Sequence, residues 1–470
     1  MLLNYTATYT DHYQLTMAQV YFLKGQKGNR AVFDYFFRKL PFEGGYAIFA
    51  GLDDLLNTLQ ELRFDKKDLD FLKEKGFHSE FIRFLGKFRF TGNIYSCREG
   101  DIIFPVRPVI QVEANIIEAQ IIETILLNIL NFQTLIATKA SRIRQAAGES
   151  KLIDFGLRRA QGVGGYYASR AAFIGGFDAT SNVLAGRDYG IPVSGTMAHS
   201  FIESYDDELT AFIHFADVQP DDCVLLVDTY NTLKSGLPNA ITTAKKMEEN
   251  GHRLSGIRLD SGDLAYLAKK SREMLDKAGL NYVKIAVSNQ LDEHIIKSLL
   301  EQQAPIDVFG VGTNLVTGYP DAALDGVYKL AFSNGNPRIK LSENLSKITL
   351  PHRKQVFRIL DSDNNFTGAD AVTLIQEQDP EIMYHPYYPL NSLSLQNKNK
   401  EPLLHKIMEN GTRLQEPLPL PEIAHYSKER LKRLPEEYKR FNFPHVYKVG
   451  LSTNLRNERD KLIEAYKKIK

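Results

Sequence analysis

Six short apolar runs in the middle of the chain each stop in polar chemistry: KLIDFGLRR from Lys151, IPVSGTMAHS from Ile191, CVLLVDTYN from Cys223, GIRLDSGD from Gly256, KIAVSNQ from Lys284 and DVFGVGTN from Asp307. A strand buried on both faces must be apolar throughout, so its chemically active residues appear only where it ends. The runs recur about every 20 to 40 residues with helical stretches between them, the spacing a crossover helix needs to return the chain to a parallel neighbour. This pattern predicts a barrel whose strand ends surround one active site.

The 470 residues are too many for one ordinary core, so two or three domains are expected. Lysine plus arginine (58) balances aspartate plus glutamate (57), which gives no global field for nucleic acid or an anionic membrane. Any anion must therefore be held locally. Two cysteines, Cys97 and Cys223, cannot build a disulfide framework, and no histidine stands at zinc-ligand spacing from either, so a reducing cytoplasm is the expected setting. The start lacks the pattern of a signal peptide. The most apolar long segment, NIIEAQIIETILLNIL, is interrupted by Glu118 and Glu123, which argues against a membrane span.

Residues 1–144 mix helix and strand. Asp11 is placed to cap a first helix, a small β layer follows Gly92, and two helices between about Asn115 and Arg144 lead into the first run. Residues 145–330 carry the strand and helix alternation. Residues 331–470 lose that pattern, pass through a Pro-rich stretch and end in a charged helix, which reads as a C-terminal domain with long connections.

The last run ends in Gly310, Gly312 and Thr313, where backbone N–H groups can approach an anion closely. Late barrel strands are the usual place for a phosphate, and a plain tight turn is the alternative. Arg258, Asp260 and Asp263 crowd another strand end. Asp263 is placed to cap the helix that follows, while the two carboxylates also suit ribose hydroxyls or a hydrated Mg²⁺. The planar fork of Arg258 suits a carboxylate or phosphate. Phe155, Arg158 and Arg159 lie just past the first run, where charges need either an anionic ligand or an internal acid. His199 opens a helix whose Phe201, Ile202, Tyr205, Leu209, Phe212 and Ile213 share one face. A helix N-terminus disfavours imidazolium and stabilises a phosphoryl group carried on the ring. Most histidines are bystanders and this chain has 11, but the neighbouring strand ends single out His199.

Taken together, TDHYQLTMAQVYF, FDYFFRKLPFEGGYAIFAGL, DFGLRRAQG, GGFDATSNVLAGRDYGIPVSGTMAHSF, GIRLDSGDL, GVGTNLVT and SKERLKRLPEEYKRFNFPHVYKVGLS resemble the nicotinate phosphoribosyltransferase family over nearly the whole chain. The resemblance implies an α/β fold: an irregular (β/α) barrel of the type II phosphoribosyltransferase kind, with a smaller α+β N-terminal domain and a C-terminal extension. It implies that nicotinate and 5-phosphoribosyl 1-pyrophosphate become nicotinate mononucleotide and pyrophosphate, the entry step of NAD salvage. ATP hydrolysis is coupled through a phosphohistidine.

In this resemblance the phosphohistidine falls on His199, the nicotinate contacts on Tyr13, Thr196 and Arg258, and a phosphoribosyl contact on Thr313. Arg158, Asp260, Asp263 and Gly312 take their roles from chemistry: Asp260 and Asp263 for ribose or Mg²⁺, the Gly312 and Thr313 turn for the 5-phosphate, Arg158 for added positive charge. The family pairs subunits, which implies a homodimer in which the N-terminal part of one chain closes the barrel mouth of the other; whether Tyr13 acts across that pair stays open. The nearest rival is a relative acting on nicotinamide or quinolinate, and a further one is a ligand-binding relative without turnover. The chain departs from the family at Pro351 and His352, where a glycine is expected after the proline, in the turn before Lys354.

Overall fold

The computed structural model describes residues 5–388 and 390–467. Residues 139–322 form one compact unit. Its parallel strands are numbered here as β1 (Lys151–Asp154), β2 (Ala179–Thr180), β3 (Val224–Leu226), β4 (Gly256–Leu259), β5 (Lys284–Ser288) and β6 (Val308–Val311). Five of the six apolar runs become strands. The run from Ile191 contributes only a bridge between Val193 and Thr180, while β2 arises from a segment too short to show any periodicity.

The lateral order is β2-β1-β6-β5-β4-β3, with the last strand beside the first: Val308 pairs with Lys151 and Val311 with Asp154. Going round, spatial order is chain order, which is a barrel left open at the seam between the Val193 bridge and β3. Side chains at alternate positions, Leu152, Leu225, Ile257, Ile285 and Phe309, are all fully buried. The helices that return the chain are α1 (Gly164–Ile174), α2 (Val183–Tyr189), α3 (His199–Glu203), α4 (Glu208–Val218), α5 (Leu237–Glu249), α6 (Leu264–Lys277), α7 (Glu293–Glu301) and α8 (Thr313–Val316).

Several of these helices start on a polar cap just past a strand end or turn. Asn182 accepts from the Ala185 N–H, Asp207 from Thr210, Asp263 from Tyr266 and Asp292 from His294 and Ile295. The single helix expected from His199 onward is two helices, α3 and α4, because Asp207 turns to cap a new start.

The terminal segments, expected as separate N- and C-terminal domains, cluster as one compact unit, residues 1–138 with 323–470. The reason is strand pairing. One antiparallel sheet interleaves them: Arg30–Phe37 pairs with Gly326–Ser333, and Asn93–Ser96 pairs with His405–Glu409. Asp11 holds the N-cap position of helix His12–Leu23, yet its carboxylate accepts from the Thr124 hydroxyl instead of the helix. At the departure from the family pattern, His352 adopts φ 67°, the left-handed conformation a glycine takes without strain. Lys354 is fully buried there, 2.9 Å from Asp34 and donating to the Pro351 carbonyl.

No helix among the described residues is long and apolar enough to cross a membrane. A cluster of buried charge lies in the unit that contains both termini. Arg358 donates to Asp101 (2.9 Å) and to Asp370 (3.1 Å), Arg430 donates to Asp101 (2.8 Å), and Arg107 lies 2.6 Å from Asp370. The Phe366 ring stacks beneath two of the guanidinium groups, 4.3 Å from Arg358 and 4.7 Å from Arg430.

Burial pushes the Asp101 carboxyl up, but Arg358 and Arg430 overrule it and hold it at about 2, below its ordinary 3.8. The folded value is the lower one, so the stabilisation is complete above the unfolded value and is lost as pH falls through the folded one. Asp101→Asn should cost about 3 kcal/mol in denaturant melts at pH 7, because it leaves buried cations unmatched. The variant should also lose less stability than the parent between pH 4 and pH 2; parallel curves would deny the carboxylate this role.

Candidate active site

The C-terminal ends of the strands surround a cavity of about 1160 Å³, lined by Phe155, Arg158, Arg159, Thr196, His199, Arg258, Asp260, Ser288, Gly312 and Thr313 among others. In parallel α/β folds the residues at these strand ends and the loops after them build the site. Residues more than 150 positions apart in the chain thus face one space.

Arg258 and Asp260 sit two apart at the end of β4, so their side chains point the same way and meet, Nη2 to Oδ1, at 3.0 Å. Ser288, at the end of the neighbouring strand β5, accepts from Arg258 Nε at 2.9 Å and donates to Asp260 Oδ1. Arg258 Nη1 donates to the Thr196 hydroxyl (3.1 Å) and the Met197 carbonyl (3.4 Å). Four of the five guanidinium N–H groups are thereby engaged, which fixes the plane of the group and leaves one N–H of Nη2 for a ligand. Its carbon lies 5.3 Å from the Phe155 ring. That ring needs Gly310: a Cβ there would meet it at 2.4 Å.

His199 is the first residue of α3, a helix of only five residues, so the long helix dipole expected from the sequence is absent. Its immediate partners are side chains. Nδ1 shares a hydrogen bond of 3.1 Å with the Thr229 hydroxyl, and Nε2 lies 3.8 Å from Asp260 Oδ2. Asp228, just past β3, accepts from the Asp260 backbone N–H (2.8 Å) and the Ser261 hydroxyl (2.7 Å) through one oxygen. Its other oxygen is buried without a hydrogen-bond partner.

The structure brings together His199, Thr196, Arg158, Arg258, Asp260, Gly312 and Thr313. Asp263, by contrast, is outside the cavity lining and accepts from the Tyr266 N–H at 3.0 Å as the cap of α6. Tyr13 belongs to the other unit, on helix His12–Leu23, and is 49% exposed. Asp228, Thr229 and Ser288 were missed as site residues; each lies at the polar tip of a recognised run, yet nothing in the sequence separates it from the other tip residues. Asn289 and Gln290, in the same lining, take φ of 89° and 49°, a strained turn at the cavity edge.

Among the described residues, no cluster of three His, Cys, Asp or Glu could hold a metal ion by itself. The unpartnered oxygen of Asp228 and the cavity-lining carboxylate of Asp260 are hard donors that suit Mg²⁺ when substrate oxygens complete the shell.

Comparison with known proteins agrees with this geometry. The model of the nicotinate phosphoribosyltransferase (NAPRTase) family matches residues 150–377, that of its N-terminal domain residues 8–131 and that of its C-terminal domain residues 353–459. A nicotinate phosphoribosyltransferase of Bacillus subtilis is 45% identical over 456 residues, covering 94% of this chain and 92% of the relative. One from Caenorhabditis elegans is 36% identical, covering 95% and 91%. The crystal structure of human nicotinic acid phosphoribosyltransferase is similar with a TM-score of 0.86 at 32% identity, covering 96% of this chain and 99% of that one. With strand ends, cavity and sequence in agreement along its length, the chain belongs to the nicotinate phosphoribosyltransferase family.

Proposed function

We propose that this phosphoribosyltransferase joins nicotinate to 5-phosphoribosyl 1-pyrophosphate, releasing nicotinate mononucleotide and pyrophosphate, with ATP hydrolysis coupled through His199. The observation that carries this reading is the placement of Arg258 and His199 on either side of Asp260 in one cavity. The pyridine nitrogen attacks ribose C1 as the bond from C1 to the pyrophosphate oxygen breaks, through a state with positive charge on the sugar. Arg258 presents its remaining N–H to the nicotinate carboxylate, and its fixed plane orients the ring. Asp260, facing the same space, stabilises the developing charge on the sugar. The turn at Gly312 and Thr313 takes the 5-phosphate, and Arg158 adds positive charge near the leaving group.

His199 accepts the γ-phosphoryl group of ATP, and Thr229 fixes the rotation of the ring that receives it. Coupling then requires that the phosphorylated enzyme bind the substrates more tightly than the free one. Mg²⁺, held by Asp260 and Asp228 with substrate oxygens, would neutralise phosphate charge. Two buried free cysteines suit a cytoplasmic setting. A homodimer would make the exposed Tyr13 ring available for stacking on the pyridine of a partner chain's site.

His199→Ala should abolish the acid-labile label transferred from γ-labelled ATP and the ATP stimulation of the rate; a phosphoenzyme of undiminished yield would remove His199 from this role. Arg258→Gln should lower kcat/KM for nicotinate about 100-fold more than for nicotinamide, measured on the same preparation, and equal losses would show that this arginine does not read the carboxylate. Asp263→Ala should cost about 1 kcal/mol of stability as a lost helix cap while transfer rates stay within about threefold, in contrast to Asp260→Asn. A collapse of transfer in a folded Asp263→Ala enzyme would return that carboxylate to the site.

A further inference from the structure

Barrel interiors are normally filled by layers of large branched side chains. This one is not. Leu225, Ile257, Ile285 and Phe309, which face outward, are fully buried, whereas the inward-facing Ala286 and Val308 on inner strands, and Val224 on the edge strand β3, are only half-buried. Two further inward positions, Gly256 in β4 and Gly310 in β6, have no side chain. The result is a lumen of about 640 Å³. It runs from Lys151 and Lys284 at the N-terminal ends of the strands to Phe155, Thr196, Arg258 and Gly310 at the other end. Those last four residues also line the active-site cavity, so the two spaces share one wall.

An unfilled interior forfeits packing energy, so its persistence calls for an occupant. The far mouth describes one. Lys151, Arg253 and Lys284 stand there with Asp221, Asp222 and Glu248, the last accepting from the Tyr282 hydroxyl, and the Arg253 guanidinium lies 5.0 Å from the Tyr282 ring, so a cation and an aromatic face stand together at the entrance. The walls beyond carry Ile153, Val224, Ala286 and Val308 with Ser194 and Thr196, and the passage ends at the group proposed above to read a carboxylate. A highly charged phosphoribosyl or nucleotide ligand fits neither the aliphatic stretch of the walls nor a mouth whose cations are matched by acids. A small flat monocarboxylate fits both.

We infer that the lumen is a second passage for nicotinate, leading from the N-terminal face of the strands to Arg258. The inference rests on the proposed function. The phosphorylated substrates occupy the cavity at the strand ends, above Arg258, and would bar that route while bound. The lumen lets the pyridine enter and exchange with the phosphoribosyl substrate in place. Phe155, seated against Gly310 with its ring 5.3 Å from the Arg258 guanidinium, stands with Arg258 and Thr196 in the wall between the two spaces.

Val308→Cys places a thiol on the lumen wall one inward step below Gly310, and both native cysteines are buried, so the parent enzyme is the unlabelled control. Labelling with benzyl methanethiosulfonate should lower kcat/KM for nicotinate about tenfold or more while KM for the phosphoribosyl substrate moves by less than about twofold. The methyl reagent should leave both unchanged, and dithiothreitol should restore the benzyl-labelled enzyme. A benzyl label that leaves nicotinate kinetics intact, or that impairs both substrates alike as general distortion would, overturns the passage. Unlabelled enzyme that transfers nothing to nicotinate overturns the proposed function and the passage together, so the two failures are told apart before labelling.

Discussion

The ion pair between Arg258 and Asp260 is the restraint on which the rest of the site hangs. It joins two positions of one strand end, and both neighbouring strands contribute to holding it: Ser288 from β5 bonds both partners, while Asp228 past β3 holds the Asp260 backbone. With side-chain exposures of 13% and 23%, the pair is partly desolvated, so removing one partner strands a charge that water only partly screens. The same enclosure is what preorganises it. A guanidinium with four of its five donors already committed does not reorient when ligand arrives, so little ordering entropy remains to be lost at binding.

Acidic residues in the connections at this end of the strands divide into two kinds, and this division limits what the sequence reveals. Asp207, Asp263 and Asp292 accept backbone N–H groups and start helices, whereas Asp228 and Asp260 bond side chains and loop backbone at the cavity. Within GIRLDSGDL the two kinds stand three residues apart and are chemically identical, so only the geometry of the following helix sorts them. His199 was legible for another reason: it follows an apolar run, and its neighbours in space lie at the tips of other runs. Thr229 and Ser288 lie at such tips too, but a hydroxyl there gives no signal until its partner is known.

The parallel strands were legible because burial on both faces forces an apolar run, a local property of the chain. The helix from His199 was read as one because apolar spacing continues through Ser204–Asp207; the signal for the break was Asp207 itself, an N-cap residue just ahead of a new amphipathic stretch. The merger of the two terminal segments was not legible at all. Pairing of Arg30–Phe37 with Gly326–Ser333 is a contact across nearly 300 residues, and an antiparallel edge carries no label for its distant partner. At His352 the backbone takes the left-handed conformation that a glycine adopts without strain, so the turn before Lys354 carries a side chain at a strained φ.

Strand number explains why the lumen needs glycine and alanine. Barrel width grows with the number of strands, and eight strands give an interior just wide enough for side chains to fill. Six strands and a bridge enclose less, so any open space must come from shortening the inward side chains. Gly256, Ala286 and Gly310 do this on three adjacent strands. Gly310 has a further reason to be glycine, because Phe155 occupies the space a Cβ would need. The truncations open the lower barrel, and one of them also seats the ring beneath Arg258. Gly256 is likewise held to glycine by the fold, because a Cβ there would meet the Lys284 carbonyl at 2.9 Å, which leaves Ala286 as the truncated position that packing alone does not dictate.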